Sequence, residues 1–171
     1  MSQNFKPLVS IITVVYNNSK HIREAIESVL SQDYPRIECI VIDGGSNDGT
    51  VEIIEEYTKK ISTFISEPDE GLYDALNKGI ANANGDFLGI LHSDDIFMDD
   101  KVLSDVIPNL QETGSDLCFS NLVIVDKVSN KVLRYVKPHF FRRWMLRIGL
   151  HPPHPTIFLK RSLFDEFGLY S

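Results

Sequence analysis

Two adjacent carboxylates, Asp94 and Asp95, follow a short apolar run at residues 86–91. The run comes directly after the turn dipeptide Asn84-Gly85, so it is typical of a buried strand. Two neighbouring carboxylates repel each other unless a cation or several hydrogen-bond donors lie between them. Carboxylate oxygens suit Mg²⁺ or Mn²⁺, which proteins commonly hold together with substrate phosphates. The pair therefore predicts a divalent-metal site, and the alternative is a loop that caps a helix near residues 99–110.

The composition limits the class of protein. At 171 residues, with 43% hydrophobic and 24% charged residues, the chain fits one globular domain with its own core. The net charge of −7 argues against general affinity for nucleic acid. Cys39 and Cys118 lie in apolar runs without metal-ligand spacing, so we expect buried free thiols in a reducing, cytoplasmic compartment. No apolar run approaches the ~18 residues of a membrane span, and the polar start lacks the apolar core of a signal peptide.

Strands and helices are predicted to alternate along the first part of the chain. The predicted strands are 9–15, 37–42, 63–66 and 86–91, and the predicted helices are 21–30, 51–60, 71–82 and 99–110. Ser19 and Asp48 are predicted to cap the first two helices. The alternation predicts a mostly parallel sheet covered by helices on both faces. Ligands bind such sheets where the strands end, and polar clusters follow the strands at 16–18, 43–47, 67–70 and 93–95.

The pattern changes near residue 116. Residues 116–126 and 131–137 indicate two strands joined as a hairpin, and residues 156–159 indicate a last strand before a helix at 162–167. Residues 142–147 predict a short, basic, amphipathic helix. Such a helix is either a solvated surface or a contact to phosphate, a lipid carrier or a membrane surface.

Several motifs occur in a set order along the chain. They are VSIITVVYN at 9–17, SVLSQ at 28–32, IDGGSNDGT at 42–50, DEGLYDALNKG at 69–79, ANGD at 83–86 and SDD at 93–95. In this order they resemble the family-2 glycosyltransferases of bacterial polysaccharide biosynthesis, which are inverting enzymes with nucleotide-sugar donors and a GT-A type fold. The resemblance implies an α/β fold with a mostly parallel central sheet flanked by helices on both faces. It also implies one catalytic domain over 1–171, in which about 6–115 bind the donor and about 116–171 begin the acceptor side.

The resemblance assigns donor-binding roles to several positions. Tyr16 matches a contact to the nucleotide base, and the backbone at Val14 lines the same pocket. Asp43 matches the first acid of a motif that usually reads Asp-Asp-Gly-Ser. The second acid, which often contacts the base, is replaced here by Gly44. The helix entry at 71–79 resembles the segment that faces the diphosphate and the sugar of the donor, and Asp69 is the predicted polar contact there.

The same resemblance concerns the metal and the acceptor. Asp94 and Asp95 match the motif that binds the ribose and the metal, and Asp95 is the predicted direct ligand of Mn²⁺ or Mg²⁺. His92 stands where many relatives carry another acid, and His154 resembles a histidine on the acceptor side. The general base of the family follows the segment that resembles residues 164–171. We therefore expect the base beyond Ser171, and we expect this chain to transfer sugar poorly.

The predicted function is metal-dependent, inverting sugar transfer from a nucleotide-diphosphate donor of the UDP type. The predicted acceptor is a saccharide or a lipid-linked saccharide in cell-surface polysaccharide synthesis, in the cytoplasm or at the inner face of the membrane with peripheral membrane association. No nucleic-acid partner is expected. One alternative is a module that binds the donor without transferring sugar, which Gly44 favours. A nucleotidyltransferase is less consistent, because residues 16–19 are not a glycine-rich basic loop.

Overall fold

The computed structural model describes residues 6–126, 129, 131–138, 141–150 and 152–171. The strands are β1 (Val9–Val15), β2 (Ile37–Asp43), β3 (Thr63–Ser66), β4 (Phe87–His92), β5 (Leu117–Phe119), β6 (Leu122–Val125), β7 (Val132–Val136) and β8 (Ile157–Lys160). The α-helices are α1 (Ile22–Leu30), α2 (Thr50–Glu55), α3 (Leu72–Ala81), α4 (Val102–Thr113) and α5 (Ser162–Phe167). Two 3₁₀ helices cover Arg143–Ile148 and His154–Thr156.

Six strands form one sheet in the order β3-β2-β1-β4-β8-β5. β1 pairs in parallel with both β2 and β4, and β2 pairs in parallel with β3. β8 runs antiparallel to both of its neighbours, β4 and β5. The chain moves outward from β1 to β3 and then returns to the other side of β1 as β4. The order of strands therefore switches at β1, and the predicted, mostly parallel sheet is confirmed.

Alternate side chains of β1 enter two separate cores. Ile11 and Val15 pack on one face of the sheet with buried residues of α1 and α4, whereas Ile12 and Val14 pack on the other face with α3. Both faces are covered, so every residue of β1 is buried, and this explains why the strand is predominantly apolar. The helix α3 approaches β1 so closely that a Cβ on Gly79 would collide with the side chain of Ile12.

The structure corrects several predicted elements. Residues 116–126 form two strands rather than one, because β5 pairs with β8 in the main sheet while β6 pairs with β7 in a separate hairpin. The helix predicted at 99–110 begins and ends later, and α2 ends at Glu55, after which hydrogen-bonded turns continue to Ile61. The short basic helix predicted at 142–147 is confirmed, and it is a 3₁₀ helix over Arg143–Ile148. Most of the predicted hairpin loop at 127–130 lies outside the described residues, and so does His151.

The two predicted helix caps are wrong. The residues in the cap positions of α1 and α2 are His21 and Gly49, and neither makes a side-chain capping hydrogen bond. Ser19 and Asp48 instead contact each other, since the Ser19 N–H donates to the Asp48 carboxylate at 3.0 Å. Asp48 also accepts the N–H of Thr50, the first residue of α2, at 3.1 Å. It therefore stabilises the start of α2 from outside the cap position.

Both cysteines are free, Cys39 buried and Cys118 partly buried. Burial raises the pKa of the Cys39 thiol to about 12, so this thiol stays neutral and acts as a small apolar side chain. In the part of the chain that the structure describes, no helix has the length and apolar character needed to cross a membrane.

Candidate functional site

Four strands end at the same edge of the sheet. In the parallel pairs, Val15 is level with Asp43, Asp43 is level with Ser66, and Val14 is level with His92. The polar segments that follow β1, β2, β3 and β4 therefore leave the sheet from neighbouring points. This is the edge at which open, parallel sheets bind their ligands.

Asp43 is the last residue of β2, and its side chain is fully buried. Its carboxylate accepts hydrogen bonds from the N–H groups of Gly45 at 3.1 Å and Ser46 at 3.0 Å, and from the Ser66 hydroxyl at 2.7 Å. The Ser46 hydroxyl donates to the other carboxylate oxygen. Because four donors of the protein converge on it, Asp43 shapes the turn after β2 and links that turn to the end of β3. A direct contact between Asp43 and a nucleotide stays a prediction.

The loop after β1 is linked to this turn by two hydrogen bonds. The Asn17 N–H donates to the Ser46 hydroxyl at 2.7 Å, and the Asn47 N–H donates to the Asn17 side-chain oxygen at 2.9 Å. Asn17 has a φ of 49°, in the left-handed region that asparagine tolerates better than most residues. Tyr16, the residue before it, is 64% exposed although it directly follows a fully buried strand. Its ring is therefore available to stack on a flat ligand.

Asp48 connects the loops after β1 and β2. A hydrogen bond from the Thr50 hydroxyl, reinforced by the N–H of Ser19, lowers the pKa of Asp48 from 3.8 to about 2. The Thr50 hydroxyl in turn accepts the N–H of Asn18 at 3.0 Å. Asp48 is therefore an ionised acceptor that keeps the two loops together.

The loop after β4 carries the two acidic residues. The buried Ser93 hydroxyl accepts a hydrogen bond from the Asn18 amide at 2.9 Å, which connects this loop to the one after β1. The Asp95 N–H donates to the His92 carbonyl at 3.0 Å and forms a tight turn in which Asp94 is exposed and Asp95 is partly buried. Among the described residues, no three His, Cys, Asp or Glu side chains cluster as a complete metal site. Two carboxylates still fit Mg²⁺ or Mn²⁺, since these ions usually take their remaining oxygen ligands from phosphates and water.

The segment between β3 and α3 borders the same edge. The Glu67 N–H donates to the Asp43 carbonyl at 3.0 Å, so the segment begins against the turn after β2. The amino group of Lys78 on α3 donates to the Pro68 carbonyl at 3.1 Å and pairs with Glu67 at 3.0 Å and Asp74 at 3.1 Å. Lys78 therefore positions this segment rather than pointing to a ligand.

An aromatic cluster lies beside the acidic loop. The ring centroid of His154 is 6.3 Å from that of His92 and 6.3 Å from that of Tyr170, whose hydroxyl is 3.4 Å from the His154 Nε2. Tyr170 also stacks on Tyr73 of α3 with centroids 5.4 Å apart. The Asn77 amide donates to the Tyr170 carbonyl at 2.8 Å and accepts the Tyr170 N–H at 3.0 Å. Sequence reasoning missed this cluster, although the spacing of Tyr73 and Asn77 indicated that they share one helix face.

The predicted donor-binding residues thus lie around one edge of the sheet. Those at the ends of β1, β2 and β4 or just after them are Val14, Tyr16, Asp43, Asp94 and Asp95. Asp69 follows β3, and the ring of His154 lies near that of His92, the last residue of β4. Their contacts with a donor or an acceptor stay predictions.

A cavity of about 300 Å³ lies at the opposite edge of the sheet, where it is lined by Asn84, Phe87, Lys160 and Arg161 among others. Phe87 and Lys160 pair at the amino end of β4, away from the strand ends described above. Asn84 stabilises the fold, because its side-chain amide and its backbone N–H both donate to the Glu38 carboxylate at 2.8 Å. This cavity is separate from the candidate site.

Solved structures share this fold. The chain matches TarS of S. aureus in complex with UDP-GlcNAc over 95% of its own length and 48% of that chain, with a TM-score of 0.77 and 24% identity. It matches the mannosyltransferase PcManGT of Pyrobaculum calidifontis, in complex with GDP-Man and Mn²⁺, over 98% of its length and 48% of that chain, with a TM-score of 0.74 and 18% identity. At these identities the likeness shows the fold alone, which is the GT-A type of glycosyltransferases.

The family follows from the sequence. The sequence model of Glycosyl transferase family 2 matches residues 10–168, so this chain belongs to that family, and the resemblance is confirmed. Uncharacterized glycosyltransferases of Rickettsia typhi and Mycobacterium tuberculosis are each 36% identical to it, over 99% and 96% of the chain. The chain spans 56% and 63% of the length of these two relatives. The putative teichuronic acid biosynthesis glycosyltransferase TuaG of Bacillus subtilis is 39% identical over 58% of the chain and 40% of its own length.

Proposed function

We propose that this family member binds a UDP-sugar and transfers the sugar with inversion to a saccharide or lipid-linked acceptor. One observation carries the proposal. Tyr16, with its exposed ring, follows β1, and the acidic residues Asp94 and Asp95 follow β4. These two strands are adjacent, and the strand order switches between them. A ligand with a flat base at one end and a diphosphate at the other matches this pairing of an aromatic surface with a cation-binding acidic pair.

The proposal includes a divalent cation. Asp95 would bind Mn²⁺ or Mg²⁺ directly, and Asp94 would contribute a second oxygen or contact the ribose. When bound, the cation stabilises the negative charge that develops on the departing nucleoside diphosphate. The protein would hold the two carboxylates in place, because the turn from His92 to Asp95 begins at the end of a central strand.

The acceptor is proposed to approach along the aromatic cluster formed by His92, His154, Tyr73 and Tyr170. Binding sites are commonly lined by aromatic rings with a few polar groups, and His154 supplies such a group beside the acidic loop. The name of TuaG as a putative teichuronic acid biosynthesis enzyme supports a cell-surface polysaccharide as the product. A lipid-linked acceptor would place this reaction at the inner face of the membrane.

A donor-binding module without transferase activity is the second candidate. It is favoured by Gly44, which removes the side chain that the usual motif places in the base pocket. Both candidates bind the donor, so a transfer assay with radiolabelled UDP-sugars and mixed saccharide acceptors distinguishes them.

Calorimetric titration with UDP, in Mn²⁺ and in EDTA, tests the metal-linked site. We expect UDP to bind more tightly in Mn²⁺, and Asp95→Ala to lose at least about tenfold in affinity, because removal of a metal-site group commonly has effects of this size. UDP at about 100 times its Kd should also add roughly 2.7 kcal/mol to the free energy of unfolding of the wild type.

Asp100→Ala is the matched control, since Asp100 is an exposed aspartate of the same loop region. This variant should keep the Mn²⁺-dependent affinity of the wild type. Equal UDP affinity in Mn²⁺ and in EDTA for the wild type would refute the metal-linked site.

A further inference from the structure

Gly44 lacks the side chain of the usual motif, and the carboxylate of Asp69, from another loop, occupies the space where that side chain would begin. A Cβ on Gly44 would overlap the Asp69 Oδ2 and would lie 3.0 Å from the Asp69 Cγ. The backbone at Gly44 does not have a positive φ, so its conformation is one that other residues adopt. A side chain at residue 44 would therefore have to displace the carboxylate of Asp69.

The carboxylate of Asp69 consequently lies beside the proposed base pocket. The Gly44 N–H donates to the Val15 carbonyl at 2.9 Å, which places Gly44 next to the strand end that carries Tyr16. Tyr16 is exposed at that point. A carboxylate that occupies the side-chain position of residue 44 thus lies close to the end of β1, which Tyr16 directly follows.

The loop that carries Asp69 is held against the turn after β2. A Cβ on Gly45 would lie only 3.3 Å from the Pro68 backbone nitrogen, so Pro68 and this turn are in contact. The Lys78 amino group donates to the Pro68 carbonyl at 3.1 Å. Asp69 itself is partly buried, and its Oδ1 accepts the Gly71 N–H at 2.9 Å. Oδ1 is therefore occupied by the loop, and Oδ2 is the oxygen at Gly44.

We propose that Asp69 replaces the missing second acid of the motif and that its Oδ2 accepts a hydrogen bond from the ring N–H of the donor base. The inference rests on the proposed function and refines it, because it moves Asp69 from the diphosphate and sugar to the base. Uracil has a ring N–H on its hydrogen-bonding edge, whereas cytosine has an unprotonated ring nitrogen there. At this ring nitrogen, a carboxylate oxygen accepts the N–H of uracil but opposes the lone pair of cytosine, so Asp69 favours UDP over CDP.

The geometric part is tested without ligand by a double-mutant cycle of Gly44→Ala and Asp69→Ala. Gly44→Ala should lower the urea midpoint of unfolding in the wild-type background. It should have little effect in the Asp69→Ala background, where the obstructing carboxylate is gone. Additive effects of the two substitutions would overturn the steric exchange between residues 44 and 69.

The recognition part is tested by titrating UDP and CDP, in Mn²⁺, into the same proteins. Asp69→Ala should lose roughly tenfold or more in UDP affinity while its CDP affinity changes little, since one hydrogen bond to a charged group is lost. Glu70→Ala, which alters an exposed neighbour in the same loop, should keep the wild-type preference. The variant Gly44→Asp/Asp69→Ala, which returns the acid to the motif, should regain the preference for UDP. If Asp69→Ala folds poorly, Asp69→Asn provides the comparison, because its amide oxygen can keep accepting the Gly71 N–H while its NH₂ group, a donor, replaces Oδ2.

The outcomes separate the two proposals. If the wild type binds UDP and Asp69→Ala retains the full preference for UDP over CDP, the role of Asp69 is overturned and the proposed function stands. If the wild type binds neither nucleotide, the proposed function fails, and the recognition role of Asp69 fails with it.

Discussion

Replacing Asp43 by alanine should destabilise the fold even without any ligand. The carboxylate is fully buried and accepts hydrogen bonds from two backbone N–H groups and two hydroxyls. The hydroxyls of Ser46 and Ser66 can rotate towards water when the carboxylate is removed. The N–H groups of Gly45 and Ser46 cannot, because the turn fixes their direction. The main loss is therefore that of two charge-assisted backbone hydrogen bonds.

The magnitude follows from those two bonds. A hydrogen bond to a charged group contributes roughly 1.5–3 kcal/mol, so two at the lower value give about 3 kcal/mol. In a domain of this size, 1 kcal/mol shifts the melting temperature by roughly 2–4 °C. Asp43→Ala should therefore melt about 6–12 °C below the wild type.

Urea and thermal unfolding, followed by circular dichroism, provide the assay. Asp100→Ala is the control, because Asp100 is an exposed aspartate in the loop region that follows β4. Its free energy of unfolding should stay within about 0.5 kcal/mol of the wild type, as is usual for exposed positions. If Asp43→Ala unfolds at the wild-type midpoint but no longer binds UDP, the carboxylate serves the ligand, and the reasoning from its burial is refuted.

Two further predictions concern Asp48 and Asn77. The pKa of Asp48 is about 2 in the folded protein, against an ordinary 3.8. Ionised Asp48 therefore contributes to the free energy of unfolding above about pH 4, and this contribution is lost as the pH falls through 2. Asp48→Asn should therefore show a flatter decline in the free energy of unfolding between these pH values than the wild type, and parallel curves would contradict the lowered pKa. Asn77→Ala should reduce the near-ultraviolet circular dichroism of the Tyr73–Tyr170 pair and lower the free energy of unfolding by about 1–3 kcal/mol, because two hydrogen bonds to the Tyr170 backbone are lost. An unchanged spectrum and urea midpoint would show that the Asn77 contact does not position Tyr170.

The central strands were predictable because strands that are buried on both faces are rich in apolar residues. β1 is buried on both faces, so all seven of its residues are buried, and five of them are apolar. The polar clusters after the strands were predictable for a similar reason, since parallel strands that share a sheet end at one edge. The outer elements were predicted less well. β5 and β6 lie in one apolar stretch, and their separation depends on the different partners, β8 and β7, that each strand meets.

Local periodicity and residue order are enough to predict the alternation of strands and helices, the family, and the acidic and aromatic residues at the strand ends. What each side chain faces depends on how the chain folds in three dimensions. Asp43 and Asp94 both follow apolar runs, yet one is enclosed by four donors and the other is exposed. Asn77 contacts Tyr170, 93 residues away, and Asp69 fills the place of a side chain at Gly44. Such contacts join segments that are distant in the chain, so a local sequence pattern cannot predict them. They form only when the folded sheet brings these segments together.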